Sequence, residues 1–278
     1  MIGASHTKKN LPNQDAFDYF PKREQSPFMT VSIADGHGAE ECFRSNIGSS
    51  IAVEIATKIS QYYLKKKKIY KTLFSDQKQR DKFVNKLVKQ WLICVLKHYK
   101  KNPLTSKEIA TIVELDEKKS KKITQRPVTI YGSTLITALI YDQQIILFQI
   151  GDGDVMLVSN EKEIIFPIER PEGLLGNETT SLCNVNSARL FQSAVIKDIN
   201  PSLIVLSTDG YSNSFSSHED FKKVGIDFLE LENKNGFQMI KDNMHRWLEE
   251  TTKTGSGDDT TVAVIRRIDK NKEIANHE

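Results

Sequence analysis

The chain has 278 residues, 38% of them apolar, with 39 Lys and Arg against 36 Asp and Glu for a formal charge of +3. That balance is ordinary for a soluble globular protein and allows one large domain or two small ones, with a sizeable core. No apolar run approaches the ~20 residues of a membrane helix, and the opening MIGASHTKKN lacks signal-peptide character, so a cytoplasmic location is expected.

In chain order, a strand is expected at 28–34 from its β-branched content. Phe43, Ile47, Ile51, Ile55 and Ile59 then recur every fourth residue, which predicts a helix beginning just after the turn DGHG. A second helix is expected over about 78–101. It sets Phe83, Leu87, Trp91, Cys94, Val95 and His98 on one side and lysines on the other, and Asn102-Pro103 stops it. Residues 104–128 are polar and read as a loop or short helices. Strands at 133–141, 144–150 and 154–159 follow, and their short polar breaks make 133–159 read as a three-strand meander. Residues 160–187 lack periodicity and read as an irregular excursion. Strands at 188–196 and 202–208 precede a third helix around 237–250, which groups Phe237, Ile240, Met244 and Trp247, and a final strand at 259–268. Antiparallel sheet covered by helices is the expected arrangement. With no internal repeat and no dividing linker, residues 1–270 are expected to form one domain, followed by a polar tail at 271–278.

The charge is uneven. Residues 65–101 hold thirteen Lys or Arg against Asp76 and Asp81, a local balance of +11 that leaves −8 for the remainder. Without arginine clusters or interleaved aromatics this lysine-rich stretch argues against nucleic acid, and it reads as a solvated helix face. Cys42, Cys94 and Cys183 are odd in number and widely separated, so they read as reduced small hydrophobes. The absence of CxxC and HExxH argues against zinc.

Four apolar runs meet acid and glycine: VSIADGHGAEE, IILFQIGDGD, LIVLSTDGYSN and, with the acids after the glycine, GSGDDTTVAVI. Carboxylates at buried strand ends are partly desolvated and repel one another, and a divalent cation removes that conflict. Hard oxygen ligands suit Mg2+ or Mn2+, and glycine beside the acid lets the backbone carbonyl approach an ion. Asp35-Gly36, Asp152-Gly153, Asp209-Gly210 and Asp258-Asp259 are therefore candidates for one shared metal site.

The order of these elements resembles the metal-dependent protein serine/threonine phosphatases of the protein phosphatase 2C family, most closely its bacterial branch, from about Gly3 to Arg267. The matching motifs are NQDA at 13–16, DGHG at 35–38, GST at 132–134, GDGD at 151–154, TDG at 208–210 and GDDTTVAVI at 257–265, supported by SH at 5–6 and GNETTSL at 176–182. The resemblance implies an α/β (α+β) four-layer sandwich, two central antiparallel sheets flanked by helices. It also implies two Mn2+ or Mg2+ ions, with a possible third. Asp35 would bridge both ions, Asp209 and Asp258 would hold one, and the carbonyl of Gly36 would hold the other. Asp15 would act through water, and Asp152 would contribute to the third position. A water shared by the ions would attack phosphoserine or phosphothreonine in line, and His37 would protonate the leaving oxygen. Ser133 and Thr134 would support the site.

The chain also departs from the family pattern. Asn10 occupies the position of a phosphate-clamping arginine, which leaves Lys9, Lys8 and His6 as the nearby cations. Gln14 replaces a frequent glutamate, and Asp154 replaces a frequent arginine. Residues 160–187 fall where the family has a flap, and the lysine-rich region 65–128 is enlarged. Expected partners are phosphorylated proteins, including a serine/threonine kinase or its target, and no membrane. The missing arginine favours one alternative, a pseudophosphatase that binds phosphoproteins without turnover, and a metal-dependent small-molecule phosphatase is another.

Overall fold

The computed structural model describes residues 1–23, 25–168, 179–197 and 199–268. The expected tail at 271–278 lies outside the described residues, as do 169–178 of the expected flap and the first three residues of GNETTSL. In chain order the elements are α1 (Ala4–Lys9), β1 (Ala16–Phe20), β2 (Phe28–Ala34), α2 (Ser45–Leu64), α3 (Lys67–Ser75), α4 (Gln77–Lys101), α5 (Ser106–Glu114) and α6 (Glu117–Gln125). There follow β3 (Leu135–Tyr141), β4 (Gln144–Ile150), β5 (Asp154–Val158), β6 (Ile164–Ile165), β7 (Gln192–Ile196), β8 (Leu203–Ser207), α7 (Asp209–Ser212), α8 (His218–Asn235), α9 (Phe237–Thr254) and β9 (Val262–Arg266).

Two antiparallel sheets form the centre, ordered β1-β2-β3-β4-β7 and β6-β5-β8-β9. Their strands read as nearly unbroken apolar runs because both faces of each sheet are covered. The period of two then sorts the side chains. Ile33, Ile136, Ala138, Ile145 and Leu147 meet Val155, Leu157, Ile204 and Leu206 between the sheets. Leu135, Leu139, Ile146 and Phe148 point the other way, against α2, α3 and α4. Met156, Val158, Leu203 and Val205 pack beneath α8 and α9. The layers are thus helix, sheet, sheet, helix, as expected.

The helix over the first sheet obeys its stripe: Ile55 and Ile59 are buried and Ile47 and Ile51 partly so. On α4, Phe83, Leu87, Trp91 and Val95 are buried, whereas its lysines are exposed. Trp91 donates its Nε1 proton to the carbonyl of Gly48 at 3.0 Å, locking α4 onto α2. Truncation of such a side chain costs about 3–5 kcal/mol. The three cysteines are free, and burial pushes the Cys42 thiol up to about 12, which keeps it unreactive at neutral pH. Among the described residues no helix is long and apolar enough to cross a membrane.

Several expectations need correction. The segment 133–159 is not a three-strand meander, because β3 and β4 pair as a hairpin while β5 belongs to the second sheet. GDGD is thus the crossing between sheets. The strand expected at 188–196 is confined to 192–196, since residues 187–189 form a 3-10 turn. Helices α3 and α8 and the edge strand β1 were not anticipated. In α8 the lysines and acids between Phe221, Val224, Phe228 and Leu229 mask a buried apolar face, although Ser217 caps the helix by accepting the amide of Asp220.

Candidate metal centre at the strand ends

Antiparallel pairing fixes which strand ends coincide. The C-terminal ends of β2, β4 and β8 and the N-terminal ends of β5 and β9 all fall at one end of the sandwich. Asp35 follows β2, Asp209 follows β8, Asp152 lies in the β4–β5 crossing, and Asp258 precedes β9. The sheet pairing therefore gathers acids that are over 200 positions apart in the sequence.

Asp35 is held by its backbone: its amide donates to Thr134 Oγ1 at 2.9 Å, and its carbonyl accepts the Thr134 amide at 2.8 Å. The next residue, Gly36, bridges to Ser133 and donates its amide to the carbonyl of Gln14 at 3.1 Å. The expected supporting role of Ser133 and Thr134 thus has a structural form. In the crossing, Gly151 adopts φ +105°, a conformation L side chains rarely take, and donates to Thr180 Oγ1 at 2.9 Å. At Gly210 a Cβ would lie 2.0 Å from the carbonyl oxygen of Asp259, so only glycine lets the two acid-bearing loops touch.

Carboxylate oxygens of Asp35, Asp152 and Asp209 lie within 4.8 Å of one another. Burial, and then repulsion from Asp15, Asp209, Asp258 and Asp152, push the Asp35 carboxyl well above the ordinary range. Asp209 is pushed up to about 6 by burial and by Asp152 and Asp258. Its Oδ2 accepts from Asn213 Nδ2 at 3.0 Å. Asp15 is pushed up to about 7, chiefly by burial, even though its Oδ2 accepts from Thr208 Oγ1 at 2.8 Å. Among the described residues its Oδ1 is buried without a hydrogen-bond partner, as is Oε1 of Gln14. Crowded, desolvated carboxylates with an orphaned oxygen form an all-oxygen donor set, which fits a hard divalent cation.

The other expected site residues take different positions. Asp258 lies outside the close trio, with a half-exposed side chain whose Oδ1 is 3.6 Å from His6 Nε2. His6 is buried, and its Nδ1 is 2.9 Å from Asp259 Oδ2, so its ring is engaged by two aspartates. Lys8 and Lys9 are exposed on α1, which ends at Asn10 in the left-handed conformation. His37 donates its amide to Gly132 at 3.1 Å, and burial lowers its imidazole pKa against the opposing pull of Asp152. Asp154 opens β5 and is buried.

Two neighbours of the motif acids organise this centre: Asp259, expected among the metal-site candidates, has both carboxylate oxygens engaged by the N-terminal segment instead, and Thr208 is a residue whose role sequence reading missed. Asp259 accepts the amides of Gly3 and Gln14, each at 2.6 Å, together with His6, and so ties the N-terminal segment to the loop bearing Asp258. Thr208 binds Asp15 and also accepts the amide of Thr261 at 3.0 Å. The only signal for Thr208 was its position beside Asp209.

The protein phosphatase 2C family profile matches residues 2–249. Among solved structures, the chain is similar to PppA, a key regulatory component of T6SS in Pseudomonas aeruginosa, at 16% identity and TM-score 0.54, covering 92% of each chain. It is similar to the serine/threonine phosphatase Stp1 from Staphylococcus aureus at 14% identity and TM-score 0.51, covering 93% of this chain and 90% of that one. A C. elegans sex determining protein gives 15% identity and TM-score 0.53, with 95% of this chain and 62% of that one covered. No curated protein matches by sequence.

Proposed function

We propose, since this chain belongs to the protein phosphatase 2C family of serine/threonine phosphatases, that it hydrolyses phosphoserine and phosphothreonine in proteins with the help of Mn2+ or Mg2+. The observation that carries this reading is the convergence of Asp35, Asp152 and Asp209 at one end of the sandwich, with Asp35 driven far from its ordinary pKa. Residues 1–270 act as one catalytic domain in this reading.

Asp35, Asp209, Asp258 and the Gly36 carbonyl would hold two ions, with Asp15 acting through water and Asp152 serving a third position. When bound, the ions would supply Lewis acidity that activates a water for in-line attack and offsets phosphate charge. The chain's own residues then divide the remaining work. Thr134 fixes the backbone at Asp35, Thr208 orients Asp15, and Asn213 orients Asp209. His37 protonates the departing seryl or threonyl oxygen; its lowered pKa makes the imidazolium a stronger acid, and Asp152 partly restores the charged form. Lys9 and Lys8 on the exposed face of α1 meet the substrate phosphate as point charges, without the fork of an arginine. Lys9→Ala should therefore raise KM for a phosphopeptide severalfold and leave kcat largely intact; an unchanged KM would remove Lys9 from this role.

The test of the whole reading is phosphate release from a phosphothreonine peptide, with Mn2+ and with chelator, by wild type and by Asp209→Asn. Metal-dependent turnover that the variant loses by about a hundredfold or more is expected, as for a group stabilising the transition state. Folded, metal-loaded wild type that turns over no peptide would shift the reading to a phosphoprotein-binding module. Turnover of small phosphate esters alone would make it a small-molecule phosphatase.

A further inference from the structure

At the opposite end of the sandwich, away from the aspartates, the two sheets open into a groove of about 670 Å³. β2 and β8 enter here and β3 and β9 leave. Both entering strands follow a proline, Pro27 and Pro201, so neither proline offers a backbone donor to the rim. The floor is the edge of the inter-sheet layer: Ile145 and Ile204 are buried in it, Ile140 and Ile265 are partly exposed, and no aromatic residue takes part among the described residues.

The rim is cationic. Arg23 and Arg267 are exposed at the mouth, opposed by Asp142 as the one carboxylate among the described lining residues. Arg23 donates to the uncharged Ser26 Oγ at 3.3 Å, and among the described residues no carboxylate lies within ion-pair distance of Arg23 or Arg267. Arg266, by contrast, turns to the outer face, where its Nη1 is 3.7 Å from Glu232 Oε1 and its guanidinium lies over the Phe237 ring. Rim backbone is also occupied: the Asp142 amide donates to Pro27 at 2.7 Å, and the Arg267 amide donates to Ser202 at 2.9 Å. A ligand meets an aliphatic floor and, at the mouth, two guanidinium groups beside the amide side chains of Gln25, Gln143 and Asn200.

From that combination we propose that the groove binds a single-chain aliphatic anion, a fatty carboxylate or an alkyl phosphate. The chain lies over the edge of the inter-sheet layer, against the partly exposed Met29, Ile140 and Ile265, where it replaces water over apolar surface. The headgroup accepts charge-assisted hydrogen bonds from Arg23 and Arg267. The volume falls within the roughly 300–1,000 Å³ of small-molecule sites. A flexible saturated chain suits walls built from isoleucine and Met29 better than a planar ring does.

The test is calorimetric titration of the full chain with dodecanoate and with dodecyl phosphate, both below their micellar concentrations, and with dodecyltrimethylammonium as the cation of equal chain length. Saturable binding at one site is expected for one or both anions, and the tighter of the two identifies the headgroup. The cation, and the double variant Arg23→Glu/Arg267→Glu titrated with the anions, should each bind at least about tenfold more weakly, the loss expected for charge-assisted contacts. Met29→Trp should fill the groove and abolish binding while leaving phosphopeptide turnover unchanged. Melting curves verify that each variant is folded, and the exposed arginines can be replaced without repacking the core. Absence of saturable anion binding by wild type, equal affinity for the cation, or binding that survives the arginine variant would overturn the proposal.

Discussion

At Asp35 the chain holds a carboxyl that burial and four neighbouring aspartates push well above its ordinary pKa. Such a group favours function at the expense of the metal-free fold. The sign follows from proton counting. An acid whose folded pKa exceeds its unfolded value binds more protons when folded, so stability is lost as pH rises from 3.8 through the folded values, about 6 at Asp209 and about 7 at Asp15. In chelator, the wild type should therefore lose several kcal/mol, on the order of 5, from this cluster between about pH 4 and pH 8. Asp35→Asn should lose less over that range and melt higher than wild type at the alkaline end. Thermal melts across pH decide this; parallel pH profiles for the two proteins would show that the repulsion is not carried by Asp35. Added Mn2+ should raise the melting temperature of wild type and not of the variant.

Among the elements, the entry to α2 is anchored by Arg44, whose guanidinium is buried and forks onto Glu108 at 2.6 and 2.8 Å. Its remaining protons reach the carbonyls of Asn102 and Pro103 and the hydroxyl of Tyr131, so one side chain ties the end of α4 and the start of α5 to the loop before β3. Glu108 also closes the capping box with Thr105. Arg44→Met should destabilise by about 3–5 kcal/mol, because it strands a partly buried carboxylate and several carbonyls. The Arg44 guanidinium holds Glu108 down to about 2, below its reference of 4.5. Here the sign is opposite to that at Asp35: the contribution is present above pH 4.5 and is lost as pH falls toward about 2. Acid unfolding should therefore be shallower in Glu108→Gln than in wild type between those limits, and identical acid limbs would contradict the assignment. Nothing in the sequence announced this contact, because a lone arginine 64 positions from its partner carries no local pattern.

For the whole molecule, what the sequence disclosed and what it withheld have physical causes. Buried strands such as 144–150 and long helices such as 77–101 were legible because periodicity and β-branched content are local properties. The assignment of β5 to a second sheet was not, since three residues between apolar runs look the same in a hairpin and in a crossing. That difference matters at the site, because the crossing is what carries Asp152 to Asp35 and Asp209. The motif acids were readable one by one, but Asp259 as the tie for the N-terminal segment was not, as its partners lie about 250 positions away. The same strand pairing that closes the acidic end opens the opposite end, where the isoleucine layer meets Arg23 and Arg267.

If acids from separate strand ends form one metal centre, Asp35 is the residue on which it depends. Calorimetric titration of Mn2+ into metal-free protein at neutral pH, comparing wild type with Asp35→Asn, tests it most directly. Wild type should take up two ions with release of protons from the raised carboxyls, and the variant should lose both binding events. Equal stoichiometry and affinity in the two proteins would contradict that dependence.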